Sequence, residues 1–286
     1  MSFMDRNSFK NIMLLGIVFL SLLGCVRSSK EGKRRIMVSI PPQQEWVKEL
    51  VRDRFEVDCM IPKGVSPENY DPTTKDLLRL SSSCAYICMG ELGFERVWIG
   101  RLFKQNTEMK LFYSSQGIDW IDSPSHSEGG KDPHIWTSPK QLSIIMRNTT
   151  SFLIQLDSTN ADEYRKRLEI ILGRIQKLDT MVSQKTMNLT SKSFAIYHPS
   201  LTYFARDYGL KQIVLEKEGK EPSALHILNI GEEMKRDSVK VFFIQQEFDD
   251  KNAELLCKEC HCKIVRINPL NGDWEKEIST ICNALQ

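Results

Sequence analysis

The sequence has little net charge and few of the motifs that mark enzymes or nucleic-acid-binding proteins. Its formal net charge is +2 over 286 residues, and the basic residues are scattered among acids, which argues against a nucleic-acid-binding face. It contains no His-Glu-x-x-His, no Gly-x-Ser-x-Gly and no phosphate-cradling glycine loop, so the usual signals of zinc proteases, serine hydrolases and nucleotide enzymes are missing. The absences favour binding over catalysis.

Long apolar runs are also missing, except near the N-terminus. The run at 12–23 follows basic residues and is too short to span a bilayer comfortably. It ends in Leu-Leu-Gly before Cys25, so we interpret 1–24 as a signal peptide. The cysteine in this context resembles the lipidated cysteine of a bacterial lipobox, followed by a polar tether over 25–35. The alternative is an ordinary signal peptide with a chance cysteine.

Cysteine, by contrast, is plentiful. One of the eight cysteines is the lipobox residue, and an odd number in an exported chain leaves at least one thiol unpaired in a monomer. Cys257, Cys260 and Cys262 surround a histidine and look like a metal knuckle. We favour a disulfide instead, either local or reaching Cys282, because exported chains meet oxidising conditions and no second Cys/His pair has zinc-finger spacing.

Strand and helix signals alternate along most of the chain. Short β-prone runs separated by amphipathic helical stretches predict an α/β fold with mainly parallel sheets flanked by helices. The predicted strands are 36–40, 55–61, 85–89 and 110–113, then 193–197, 212–215, 239–244 and 263–267.

One long helix interrupts this alternation. From 160 to 187, glycine occurs once and proline not at all, and apolar residues recur at three- and four-residue steps. We therefore predict an N-terminal lobe over 36–158, a linking helix over 159–188 and a C-terminal lobe over 189–286.

Two of the five histidines stand at turns that a proline constrains. His134 lies in Asp-Pro-His-Ile-Trp, and His198 ends a predicted strand and precedes Pro199. Ligands of open α/β sheets bind beyond the carboxyl ends of strands, and imidazole suits zinc and its first-row neighbours. The remaining histidines are not expected to bind a ligand. We interpret His126 as a solvated loop residue, His226 as a helix residue and His261 as part of the cysteine cluster.

The segment around His134 resembles the Asp-Pro-His-x-Trp segment of bacterial zinc and manganese solute-binding proteins, the receptors of metal ABC importers. The segment containing His198 resembles a further ligand segment of that family. Other stretches resemble family segments in the same order along the chain: 62–72, 90–95 with Trp98, 221–223 and 268–270.

The resemblance implies a ligand set of Glu68, His134 and His198, with Asn268 as a weak fourth or water-bridged contact. Glu68 replaces the family's usual histidine and Asn268 replaces its late aspartate. A His₂Glu set binds zinc, whereas the carboxylate also suits harder ions such as Mn²⁺ or Fe²⁺. We expect Zn²⁺ first and Mn²⁺ next, carried as cargo.

The resemblance also implies a periplasmic, lipid-anchored monomer that holds the ion between its lobes and delivers it to an ABC permease, with no chemistry of its own and no nucleic-acid partner. Two alternatives stay open. A His₂Glu site could serve a metal-dependent hydrolase, and Tyr197 beside His198 would suit a receptor for chelated iron or haem.

Overall fold

The structure is a computed structural model that describes residues 33–123, 130–216, 222–246, 248 and 251–286. Arg35–Gln286 forms one compact unit. The predicted signal peptide, Cys25, the tether up to residue 32, His126 and the start of 221–223 lie outside the described residues. No helix within the described ranges combines the length and apolarity needed to cross a bilayer.

Two four-stranded parallel sheets, one in each lobe, organise the fold, which confirms the predicted class. The first is built from β1 (Arg35–Val38), β2 (Glu56–Cys59), β3 (Ala85–Cys88) and β4 (Lys110–Tyr113), in the order β2-β1-β3-β4. The second is built from β5 (Ser193–Ile196), β6 (Lys211–Val214), β7 (Val241–Gln245) and β8 (Lys263–Ile267), in the order β6-β5-β7-β8. The two lobes therefore share one topology, although their sequences show no clear repeat.

Helices follow the strands and cover both sheets. α1 starts at Pro41. Proline suits this position because the backbone N–H groups of a helix's first turn have no partner within the helix. At the start of α2, Thr73 and Asp76 form a capping box. The helices are α1 (Pro41–Val51), α2 (Thr74–Ser81), α3 (Gly93–Gln105), α4 (Pro139–Leu156), α5 (Ala161–Met187), α6 (Thr202–Asp207), α7 (Ala224–Arg236), α8 (Lys251–Cys260) and α9 (Trp274–Ala284).

The long helix α5 packs against both lobes, through α1 and α4 on one side and α9 on the other. Its apolar stripe, including Ile171 and Ile175, is buried. Arg174 on the same helix forms ion pairs with Glu49 of α1 at 2.6 Å and with Glu275 of α9 at 3.3 Å. One side chain thus links the N-terminal lobe, the long helix and the C-terminal lobe.

Direct hydrogen bonds also join the lobes near the segment that carries His134. The buried Tyr203 hydroxyl on α6 donates to the carbonyl of Asp132 at 2.9 Å and accepts the Ile121 N–H at 3.2 Å. The Trp136 indole N–H donates to the carbonyl of Pro269 at 2.8 Å. The segment that carries His134 is therefore bonded to the C-terminal lobe on both sides of that histidine.

The cysteine cluster contains one local disulfide. Cys257 on α8 bonds to Cys262, just before β8, so neither sulfur is available as a metal-binding thiolate. Cys260 carries a free thiol, 3.6 Å from the carbonyl oxygen of Gly231. The suggested bond to Cys282 is not present, because this residue of α9 packs as a free thiol in a different part of the hydrophobic core from Cys257, where it behaves as a small hydrophobe.

Candidate metal centre

A cleft of about 340 Å³ lies where the carboxyl ends of the two sheets face each other. The C-terminal lobe contributes His198, two residues after β5, and Asn268, directly after β8. The N-terminal lobe contributes Glu68 from the long loop after β2, and His134 from the connection between β4 and α4. Parallel topology thus brings residues distant in sequence to one place, as expected for open α/β sheets.

Glu68, His134 and His198 converge in this cleft. Their ligand atoms all lie within 4.8 Å of one another. The Nε2 atom of His198 is 3.0 Å from Oε1 of Glu68, and the two imidazole centroids are 5.2 Å apart with the rings nearly edge to face. Both histidines are buried, whereas the Glu68 side chain is about one-quarter exposed (26%).

A buried carboxylate orients His134. Oδ1 of Asp132 lies 2.9 Å from the backbone nitrogen and 2.9 Å from Nδ1 of His134. Burial raises the pKa of the Asp132 carboxyl, but the charge and hydrogen bonds of His134 outweigh it and lower that pKa. The ionised carboxylate favours a proton on Nδ1, so Nε2 is left as the metal-binding atom.

His198 has a matching partner in Glu216. Oε2 of Glu216 lies 2.7 Å from Nδ1 of His198, and its side chain is only 6% exposed. Burial lowers the pKa of His198, but the hydrogen bonds to Glu216 and Glu68 raise it to about 10. A metal ion would take the place of the proton that Nε2 shares with Glu68, because a ligating imidazole must be neutral at that atom.

The roles of Glu216 and Gln245 were missed in the sequence, although the strand pairing contains a signal for Glu216. Ile196 of β5 pairs with Val214 of β6, so the residues two positions further, His198 and Glu216, leave adjacent strands side by side. Gln245, at the end of β7, donates from Nε2 to the carbonyl of His198 at 2.8 Å and fixes its backbone.

Asn268 lines the cleft but its side chain is already engaged. Its Oδ1 accepts the Leu270 N–H at 3.0 Å, and its backbone N–H donates to Oε1 of Glu277 at 2.6 Å. The hydrogen bond from Leu270 uses one of the two lone pairs of the side-chain oxygen and fixes its orientation. A water-bridged contact fits this arrangement better than a direct bond.

Aromatic rings flank the two imidazoles. Phe248 stacks on His198 with centroids 5.8 Å apart, and Trp136 lies 5.3 Å from His134. Both rings line the cleft. Their apolar surfaces exclude water from the imidazole faces and lower the local dielectric, which strengthens electrostatic attraction to a cation.

The arrangement offers two imidazole nitrogens and one carboxylate oxygen to a single ion. Metal–ligand distances of about 2.0 Å place two tetrahedral ligands roughly 3.3 Å apart. The 3.0 Å separation of His198 and Glu68 is close to that value, and the remaining separations, none above 4.8 Å, would contract as the side chains close on an ion. Two uncharged imidazoles and one anion suit Zn²⁺, and a fourth position stays available for water.

Comparison with known proteins places this site in context. Residues 36–283 match the family model described as ZnuA, zinc-uptake complex component A, periplasmic. The chain is 25% identical over 291 aligned residues to the high-affinity zinc uptake system protein ZnuA of Bacillus subtilis strain 168, covering 94% of this chain and 91% of that protein. A crystal structure of ZnuA superposes with a TM-score of 0.82 and 32% identity, covering 89% of this chain and all of that one.

A longer relative matches over only part of its length. The zinc-binding protein AdcA of Streptococcus pyogenes serotype M6 is 25% identical over 272 residues, which cover 87% of this chain and 52% of AdcA. The chain therefore spans about half of that relative.

Proposed function

Since the chain belongs to the family of ZnuA, the periplasmic component A of zinc-uptake complexes, we propose that it is an extracytoplasmic receptor for a divalent transition metal. The ion binds in the cleft between the lobes and is passed to the permease of an ABC importer. The protein acts as a carrier, and the metal is its cargo.

The observation that carries this proposal is the convergence of Glu68, His134 and His198 within 4.8 Å. A chance cluster of polar side chains would not orient both imidazoles. Here each ring has its Nδ1 atom against a buried carboxylate, Asp132 or Glu216, which leaves Nε2 as the nitrogen that can bind an ion. Such carboxylate–histidine pairs are typical of metal sites.

Zinc is the cargo that we propose first, with Mn²⁺ next and Fe²⁺ after it. Two imidazoles and one carboxylate form a ligand set that zinc proteins use. The ZnuA of Bacillus subtilis and AdcA, to which the chain is similar, are both named for zinc. Glu68 supplies a carboxylate oxygen, a hard ligand that also suits Mn²⁺.

The N-terminus supports an extracytoplasmic, membrane-attached location. A signal peptide over 1–24 would export the chain, and a lipid on Cys25 would anchor the monomer while leaving the lobes in the periplasm. An anchored receptor stays close to its permease, which raises the effective concentration of the two partners.

The geometry gives less support to the two alternatives. A hydrolase needs a general base beside the metal, but Asp132 and Glu216 are both bonded to imidazole nitrogens and Glu68 would be a ligand. A haem or chelated-iron receptor could use Tyr197, yet among the described residues the ones that line the cleft include His134 and His198 but not Tyr197.

The decisive experiment is a metal titration of the mature protein after treatment with a chelator. We expect about one Zn²⁺ or Mn²⁺ per chain and a higher melting temperature with metal, because a ligand that binds only the folded state stabilises it. His134→Ala and His198→Ala should each weaken binding strongly. His261→Asn is the matched control, since it removes an exposed imidazole.

Two results would contradict the proposal. One is a melting temperature that neither Zn²⁺ nor Mn²⁺ changes. The other is steady turnover of an ester or phosphoester that is lost in the same two histidine variants, which would favour the hydrolase.

A further inference from the structure

The loop that carries Glu68 rests on the first turn of α3, and the contact has no spare room. A Cβ atom added to Gly93, the first residue of α3, would lie 2.3 Å from the carbonyl oxygen of Glu68 and 3.1 Å from its Cα. Real Cβ contacts do not come closer than about 3.0 Å. Only glycine allows the backbone of Glu68 to approach this closely.

Backbone strain does not explain the glycine. Gly93 is not among the glycines with positive φ, and alanine is a better helix former than glycine by about 1 kcal/mol in a helix interior. Gly100, further along α3, has nothing within 4 Å of an added Cβ. Of these two glycines of α3, it is therefore Gly93, next to Glu68, that leaves no room for a side chain.

Further contacts hold the same loop, residues 62–72, against α3. The Phe94 N–H donates to the carbonyl of Pro67 at 3.3 Å. The rings of Tyr70 and Phe94 meet edge to face at 6.0 Å, and the Trp98 indole N–H donates to Asp71 at 3.0 Å.

The start of α3 is itself fixed to the first sheet. The buried carboxylate of Glu95 accepts the N–H groups of Met89 at 2.9 Å and Gly90 at 2.6 Å, and it also accepts the hydroxyl of Ser39, directly after β1. The first turn of α3 thus connects the loop that carries Glu68 to the first sheet.

We propose that Gly93 is a positioning residue that sets the reach of Glu68 toward His134 and His198. This inference rests on the proposed metal-receptor function and deepens it. An alanine would have to push the Glu68 carbonyl away by at least 0.7 Å, the difference between 3.0 and 2.3 Å. Metal–ligand bonds stay within about ±0.2 Å of their usual lengths, so the carboxylate would reach an ion that both imidazoles hold only through a compensating rotation or loop shift that costs affinity.

The test is the Zn²⁺ dissociation constant, measured by competition with a chelator. Gly93→Ala should weaken binding by about 10- to 100-fold, the size of effect seen when the support of a ligand is lost. Gly100→Ala is the matched control and should leave the constant within twofold. Trp98→Phe removes the hydrogen bond to Asp71 but keeps an aromatic ring, and it should cause a smaller loss of Zn²⁺ affinity. This variant tests the same loop contact if Gly93→Ala does not fold.

The same substitutions in a Glu68→Ala background separate positioning from general damage. If Gly93 acts through Glu68, Gly93→Ala should cause no further loss there, because the two changes are fully coupled. An undiminished loss in that background, or wild-type affinity in the single variant, would overturn the inference. If the wild-type protein binds neither Zn²⁺ nor Mn²⁺, the proposed function itself fails.

Discussion

Replacing Glu95 with glutamine should remove a pH dependence of stability. Glu95 is 2% exposed, and burial raises the pKa of its carboxyl from 4.5 to about 7, against the opposing effect of its hydrogen bonds from Ser39, Gly90 and Met89. Its two oxygens accept different backbone N–H groups. Glutamine keeps one acceptor oxygen, places an NH₂ group against the other donor and does not ionise.

The size and sign of the effect follow from that pKa. A rise from 4.5 to about 7, at about 1.4 kcal/mol per pH unit, corresponds to about 3 kcal/mol. The folded protein binds this proton more tightly than the unfolded chain does. The stabilisation is therefore fully present below pH 4.5 and is lost as the pH rises through 7. Most of the loss should occur between pH 5 and pH 8.

The assay is urea unfolding of metal-free wild-type and Glu95→Gln protein at several values between pH 5 and pH 8. Subtracting the two free energies cancels the other titrating groups, including His198. The wild-type advantage over the variant should shrink by about 2–3 kcal/mol across this range. A difference that stays constant with pH, or grows as pH rises, would refute the reasoning.

Three further expectations concern the metal site and the disulfide. Glu216→Gln should weaken Zn²⁺ binding by about 10- to 100-fold, because it removes the charge that orients His198; a chelator-competition constant within twofold of wild type would contradict that role. Glu68→His should raise the preference for Zn²⁺ over Mn²⁺ by about tenfold or more, and an unchanged ratio of the two dissociation constants would place Glu68 outside the coordination sphere. Reducing the Cys257–Cys262 bond, which closes a short loop, should lower the free energy of unfolding by about 2 kcal/mol in denaturant titrations; equal stability with and without reductant would argue against the bond.

Local patterns were enough to predict the alternating strands and helices. The predicted strand at 110–113 coincides with β4, and the linking helix predicted over 159–188 corresponds to α5 (Ala161–Met187). Short β-prone runs and apolar residues at three- and four-residue steps are patterns among neighbouring residues, so they can be recognised from the sequence alone.

The supporting residues of the site were harder to predict because they depend on long-range pairing. Glu216 is recognisable only once β5 and β6 are known to be neighbours in register. Gly93 becomes informative only when the Glu68 loop is seen against α3. The partner of Cys257 depends on where α8 ends, because the turn before β8 returns Cys262 to it.

The hydroxyl of Tyr203, which bonds to the carbonyl of Asp132 across the lobes, has a consequence for the free energy of metal binding. It joins the segment of His134 to the lobe of His198, so the spacing of the two imidazoles is set before an ion arrives. Little ordering entropy is then spent on that pair when metal binds. The rearrangement that binding requires then falls on the side chain of Glu68, which must exchange its 3.0 Å contact with Nε2 of His198 for a bond to the ion.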